Sequence, residues 1–140
     1  MWVGIAVLAA NAVAAAWGAI GWARKRARAS LVFWPLLRVA QATVVVQAVI
    51  GFLLLARGSK APDGLHVAYG IAPLLISLVS EGMRAAVAQR ELEDVEDLEA
   101  LERSEQVALA HRVALGEMGV MTVGALLIVT LALRAYFTGG

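Results

Sequence analysis

Four long apolar runs, separated by short charged connectors, dominate the pattern of hydrophobic and polar positions. Trp2 to Ala23 carries no charge, Leu31 to Ala56 carries Arg38, Leu65 to Ala88 is charge-free until Glu81, and Val113 to Leu133 is interrupted by Glu117. Each run is close to the ~20 residues a helix needs to cross ~30 Å of hydrocarbon. The pattern predicts an all-α transmembrane four-helix bundle, a single membrane domain over 1–140, with spans at about 2–23, 31–56, 65–88 and 107–136. The first run has no positive residue ahead of it and a basic cluster behind it, so it reads as a retained span and not a leader.

Between spans three and four the pattern changes. No Gly or Pro occurs between Gly82 and Gly116, and Leu92, Val95, Leu98 and Leu101 recur every third position among Glu91, Glu93, Asp94, Glu96, Asp97, Glu99 and Glu102. This stripe on an acidic background predicts a helical extension over about 89–106 that turns back near Arg103 and Ser104, with Ser104 capping the fourth helix. The expected result is an acidic helical hairpin, either a solvated device that holds two spans in register or a contact for a basic partner. The second connector holds Gly58, Pro62 and Gly64 and reads as a tight turn.

Lys and Arg give the orientation, because short loops rich in them stay on the cytoplasmic side. Arg24, Lys25, Arg26 and Arg28 fill the first connector without an acid, and Arg84, Arg90, Arg103 and Arg112 flank the third. Both connectors are therefore expected inside, with both termini outside. Trp2, Phe52, Tyr69, Tyr136 and Phe137 fall at the expected outer edge, and Trp22, Phe33 and Trp34 at the inner one. Trp17 is the deeper exception.

Composition changes the picture mainly by exclusion. The chain has 140 residues, 61% hydrophobic and 16% charged, with formal charge +1; its mean hydropathy is +0.76. The small net charge gives no footing for nucleic acid, so the expected partners are the lipid bilayer and a membrane protein or further copies of the chain. There is no cysteine, which removes disulfides, thiolate metal sites and thiol nucleophiles. No His/Glu metal box, phosphate loop or GxSxG occurs, and Ser77 and Ser80 have no histidine at their depth. The chain is read as non-catalytic, with no metal site.

Charges inside spans are expensive, by about 2.5–3.5 kcal/mol on insertion scales. Arg38, Glu81 and Glu117 all fall about one to two turns from the inner ends of their spans. With Gln41 on the Arg38 face and Arg84 and Arg112 just nearer the cytoplasm, they are expected to form one buried layer in which Arg38 bridges the two carboxylates. Such a layer would fix helix neighbours, relay protons or ions in a small carrier, or hold an anionic headgroup. Asn11 and Gln47 near the midplane are expected to make interhelical hydrogen bonds. Ala10, Ala14, Gly18 and Gly21 suggest that the first helix is central, with Gly116, Gly119 and Gly124 a less regular option on the fourth.

The histidines carry a different chemistry. His66 and Gly70 form HxxxG, a spacing that lets porphyrin lie on a helix beside an axial ligand. His111-Arg112 is similar to the His-Arg pair of the haem A synthase family, which is also built from four-helix units; the Glu four residues before that His is Val107 in this chain. The resemblance implies a b-type haem protein with His66 or His111 as ligand. The two histidines are expected on the order of 25 to 30 Å apart along the membrane normal, too far for one haem. Met83, Met118 or Met121 would then be the second ligand near His111. In layout, and in the Asp-Gly-Leu-His-x-x-Tyr-Gly turn at Asp63 to Gly70, the chain resembles small four-span membrane proteins of actinobacteria and similar GC-rich bacteria. That resemblance implies a multi-pass protein of a bacterial plasma membrane and no particular activity. The leading expectation is an accessory or assembly subunit or self-associating scaffold, ahead of the haem protein and the carrier.

Overall fold

A computed structural model describes residues 2–60 and 64–138. It contains α1 (Trp2–Ala23), a 310 turn (Ala27–Ala29), α2 (Ser30–Ala56), α3 (Gly64–Leu92) and α4 (Arg103–Thr138). All four α-helices are long and apolar enough to cross a membrane. Pro62 of the second connector and Asp63 of the Asp63–Gly70 motif lie outside the described residues.

The helices run antiparallel to their neighbours. Val7 of α1 packs with Val44 of α2 and Ile128 of α4 toward one end. Toward the other, Phe33 and Leu37 of α2 pack with Met118 and Met121 of α4. Around the bundle the order is α2, α1, α4, α3, with a thin seam between α2 and α3. The α1–α2 and α3–α4 connectors therefore lie at the same end, which we call the charged end.

The expectation that α1 is central is corrected: α1 packs closely on α2 and α4 but its backbone does not come close to α3 among the described residues, whereas α4 packs closely on both α1 and α3 and also approaches α2. The glycines of α4 show why. A Cβ at Gly116 would meet Val87 of α3, one at Gly119 would meet Trp22 of α1, and one at Gly124 would meet Ser80 of α3. Small residues thus open α4 on two sides. On α1 the buried stripe runs through Val7, Asn11, Ala14, Gly18 and Gly21, and Ala10 is half-buried.

Much of the outward surface is apolar. Val45, Val46, Val49, Ile50 and Phe52 through Leu55 of α2 are exposed, as are Leu75, Leu78 and Val79 of α3. Contiguous apolar faces on this scale belong to lipid or to another apolar surface, since water would not tolerate them. Association between helices in lipid has no hydrophobic drive and depends on close packing. Fully buried Phe33 and Met118 supply that packing at the charged end.

Three aromatic and polar placements, those of Phe33, Asn11 and Gln47, differ from expectation. Phe33 is a core residue, not an interfacial one. Trp17 donates its Nε1–H to the carbonyl of Ala29 at 3.0 Å, which folds the first connector back against α1. Asn11 donates to the Val7 carbonyl on its own helix, and the buried Oε1 of Gln47 accepts no hydrogen bond among the described residues. Neither makes the interhelical bond expected of it.

The acidic helical hairpin also needs correction. α3 ends at Leu92, α4 begins at Arg103, and residues 93–102 are non-helical. A repeat of three drifts off a helical face of period 3.6, and like charges three and four apart disfavour helix. Asp97 instead accepts a hydrogen bond from the backbone N–H of Glu99 at 2.9 Å, a local turn that competes with helix. The start of α4 is closed not by Ser104 but by Glu105, whose carboxylate accepts from the backbone N–H of Glu102 at 3.0 Å, one half of a capping box. Gln106 then donates from Nε2 to the carbonyls of Leu98 and Leu101, tying the connector to α4.

Candidate functional site

The intramembrane charges converge near the charged end, where α2, α3 and α4 meet. Glu81 of α3 is the hub. Its Oε1 accepts from Arg38 Nη1 at 2.5 Å and from Gln41 Nε2 at 2.9 Å, and its Oε2 accepts from Arg84 Nε at 2.8 Å. Arg84 Nη1 continues to Glu117 Oε1 at 3.1 Å. Arg84, not Arg38, bridges the two carboxylates. Arg38 reaches across the thin α2–α3 seam to Glu81 alone and to Gln41 Oε1 on its own helix.

The layer is also less buried than expected. Side-chain exposure is 53% for Arg38, 30% for Arg84, 27% for Glu81 and 18% for Glu117. Its two guanidiniums balance its two carboxylates, so the layer is neutral as a unit. Trp34 completes it, with Arg84 Cζ 5.3 Å and Arg38 Cζ 5.7 Å from its ring centroid, a cation–π arrangement on both cations. Trp34 is four residues before Arg38 on α2, a helical spacing that a search of the sequence for cation–π pairs would have picked out.

Arg112 does not join this layer. It pairs with Glu91 at 3.0 Å, further toward the charged end than the layer. Both partners are substantially exposed, so this bond is worth at most about 1 kcal/mol. Above the layer, Gln41, Asn11, Ser77 and Ser80 line a cavity of about 10 Å3, the size one water fills. Beyond it, Val7, Val44 and Ile128 close the bundle with an apolar cluster.

The histidines do not come together. Arg112 sits level with Glu91, and His66 lies twenty-five residues earlier on α3, roughly 37 Å at 1.5 Å per residue. Both are exposed. A Cβ at Gly70 would meet nothing within 4 Å, so no neighbouring helix packs closely at that glycine. Met118 and Met121 are held in the core beside Phe33 and Leu37, and Met83 is exposed. These residues do not fit an enclosed haem. Among the described residues no group of three or more His, Cys, Asp or Glu is placed to hold a metal ion.

The class of protein that this fold defines is a multi-pass, all-helical membrane protein with one neutral ion-pair layer in its spans. Compared with protein-family models, curated proteins and solved structures, the chain matches none.

Proposed function

We propose that this chain is a small non-catalytic protein of a bacterial plasma membrane that works by assembly, as an accessory subunit or self-associating scaffold, through its α3–α4 connector. One observation carries the reading. Of the seven acids Glu91, Glu93, Asp94, Glu96, Asp97, Glu99 and Glu102, Glu91 alone has an ion-pair partner among the described residues. The others are displayed on a non-helical turn that Gln106 and Glu105 tie to α4. Six unpaired acids in ten residues repel one another, and a basic partner relieves that repulsion. The apolar cluster Val7, Val44 and Ile128 above the ion-pair layer favours assembly over the carrier, which needs a polar route past it.

The test is recovery of partners after mild solubilisation. Replacing Glu93, Asp94, Glu96, Asp97, Glu99 and Glu102 by Gln or Asn is expected to abolish a co-purifying partner, or larger oligomers, while the bundle folds. Recovery unchanged by the six substitutions would sink the proposal.

The orientation belongs to the same reading. Four basic residues without an acid in the α1–α2 connector support a cytoplasmic charged end and two external termini. Because the chain has no cysteine, single-cysteine variants report this without background. Glu96→Cys in intact cells is expected to resist a membrane-impermeant maleimide and to react once the cells are opened, whereas Ser59→Cys reacts in both. The reverse pattern would invert the topology.

A further inference from the structure

At the charged end, α3, the acidic connector and α4 enclose an open-sided vestibule of about 500 Å3. Leu92 of α3, Leu98 of the connector, and Leu109 and Val113 of α4 give it aliphatic walls. It follows α4 from Gln106 to Glu117, eleven residues or roughly 16 Å. Gln106 is engaged with the connector backbone. Glu117, at the deep end, gives Oε1 to Arg84, and its Oε2 takes no hydrogen bond among the described residues. Glu99 of the connector is a second acid in its lining.

These features select a ligand. A volume of this size is in the range of small-molecule sites, which combine apolar walls with a few polar groups. The walls call for an apolar body, and the free carboxylate oxygen at their end calls for positive charge. A hydrated metal ion would lose water to aliphatic walls that cannot replace it. An anion would face Glu117, Glu99 and the unpaired acids of the connector. We propose that the vestibule binds a hydrophobic organic monocation, with its charge against Glu117 and its apolar groups against Leu92, Leu98, Leu109 and Val113. The ion-pair layer is already neutral, so the surplus acids of the connector balance the added charge. A delocalised or shielded cation suits the site because it gives up little hydration on entering it. This assignment goes beyond assembly through the connector and does not depend on it.

The experiment is calorimetric titration of the full-length protein in neutral detergent with tetraphenylphosphonium, and with neutral triphenylphosphine oxide as the control. Expected are one saturable phosphonium site, at least tenfold weaker binding in Glu117→Gln, and no saturable binding of the oxide. Ala110→Trp places an indole at an exposed position lining the vestibule and leaves the ion-pair layer intact; it is expected to abolish binding. This second variant keeps the test decisive if Glu117→Gln does not fold. The proposal is overturned if phosphonium does not saturate, if Ala110→Trp binds it as the parent does, or if the oxide binds equally well. A lysine-rich peptide that binds more tightly than phosphonium and is also blocked by Ala110→Trp would make this a peptide groove, and would equally overturn it.

Discussion

Replacing Arg84 by alanine is expected to destabilise the bundle by about 3 kcal/mol, the largest effect of any single charge in the chain. Arg84 holds Glu81 on its own helix and Glu117 on α4, and its guanidinium also lies over Trp34. Without it, Glu81 keeps Arg38 and Gln41, but Glu117 keeps no cation. The cost is dominated by the carboxylate left unpaired in the membrane, since removing one partner of a desolvated pair costs more than the pair contributes. Partial exposure of all three side chains keeps the figure at the lower end of the range for buried pairs. Unfolding in mixed micelles against increasing dodecyl sulfate measures it. Combining Arg84→Ala with Glu117→Gln is expected to restore more than half of the loss, because the second change removes the orphan charge. A single-variant loss below about 0.5 kcal/mol would mean that lipid headgroups or water satisfy Glu117, and that the layer does not hold α3 to α4.

Gly18→Val is expected to cost about as much, by a different mechanism. A Cβ at Gly18 would run into Thr122 Oγ1 of α4 and lie 2.6 Å from Phe33 Cε2 of α2. Phe33 is fully buried against Leu37, Met118 and Met121, so it has nowhere to retreat. Overpacking of this kind costs roughly 1–3 kcal/mol, and more where three helices meet at one point. Gly51→Val on α2 is the matched control, since a Cβ there meets nothing within 4 Å; it is expected to be neutral in the same titration. Equal stability of the two variants would show that α1 does not approach α2 and α4 closely at Gly18.

The two substitutions probe features of different legibility. Gly18 stands out in the sequence as part of a small-residue stripe, and it lies in a close helix contact. The inference drawn from that stripe, that α1 is central, fails because small residues mark where helices meet without stating how many do. Gly116, Gly119 and Gly124 looked less regular because they serve two neighbours, α1 and α3, from different sides of α4. The linear pattern puts Arg84 only at the edge of the layer, because it sits about one turn nearer the charged end than Glu81. Which guanidinium bridges depends on the rotation of α3 against α4, and i,i+3 spacing lets Arg84 hold Glu81 while still reaching Glu117.

What the sequence determined by itself is the set of four apolar runs that become helices, and the common depth of Arg38, Glu81 and Glu117. Both follow from one-dimensional quantities: the apolar length needed to cross hydrocarbon and the 1.5 Å rise per helical residue. Tertiary structure alone decided the ring order of the helices, Arg84 as the bridge, the pairing of Arg112 with Glu91, and the end of α3 at Leu92. It also decided the vestibule, where side chains distant in sequence share one wall. These depend on how helices rotate and approach one another. In lipid that is set by the fit of small residues and the pairing of charges across neighbours, interactions a linear pattern does not encode.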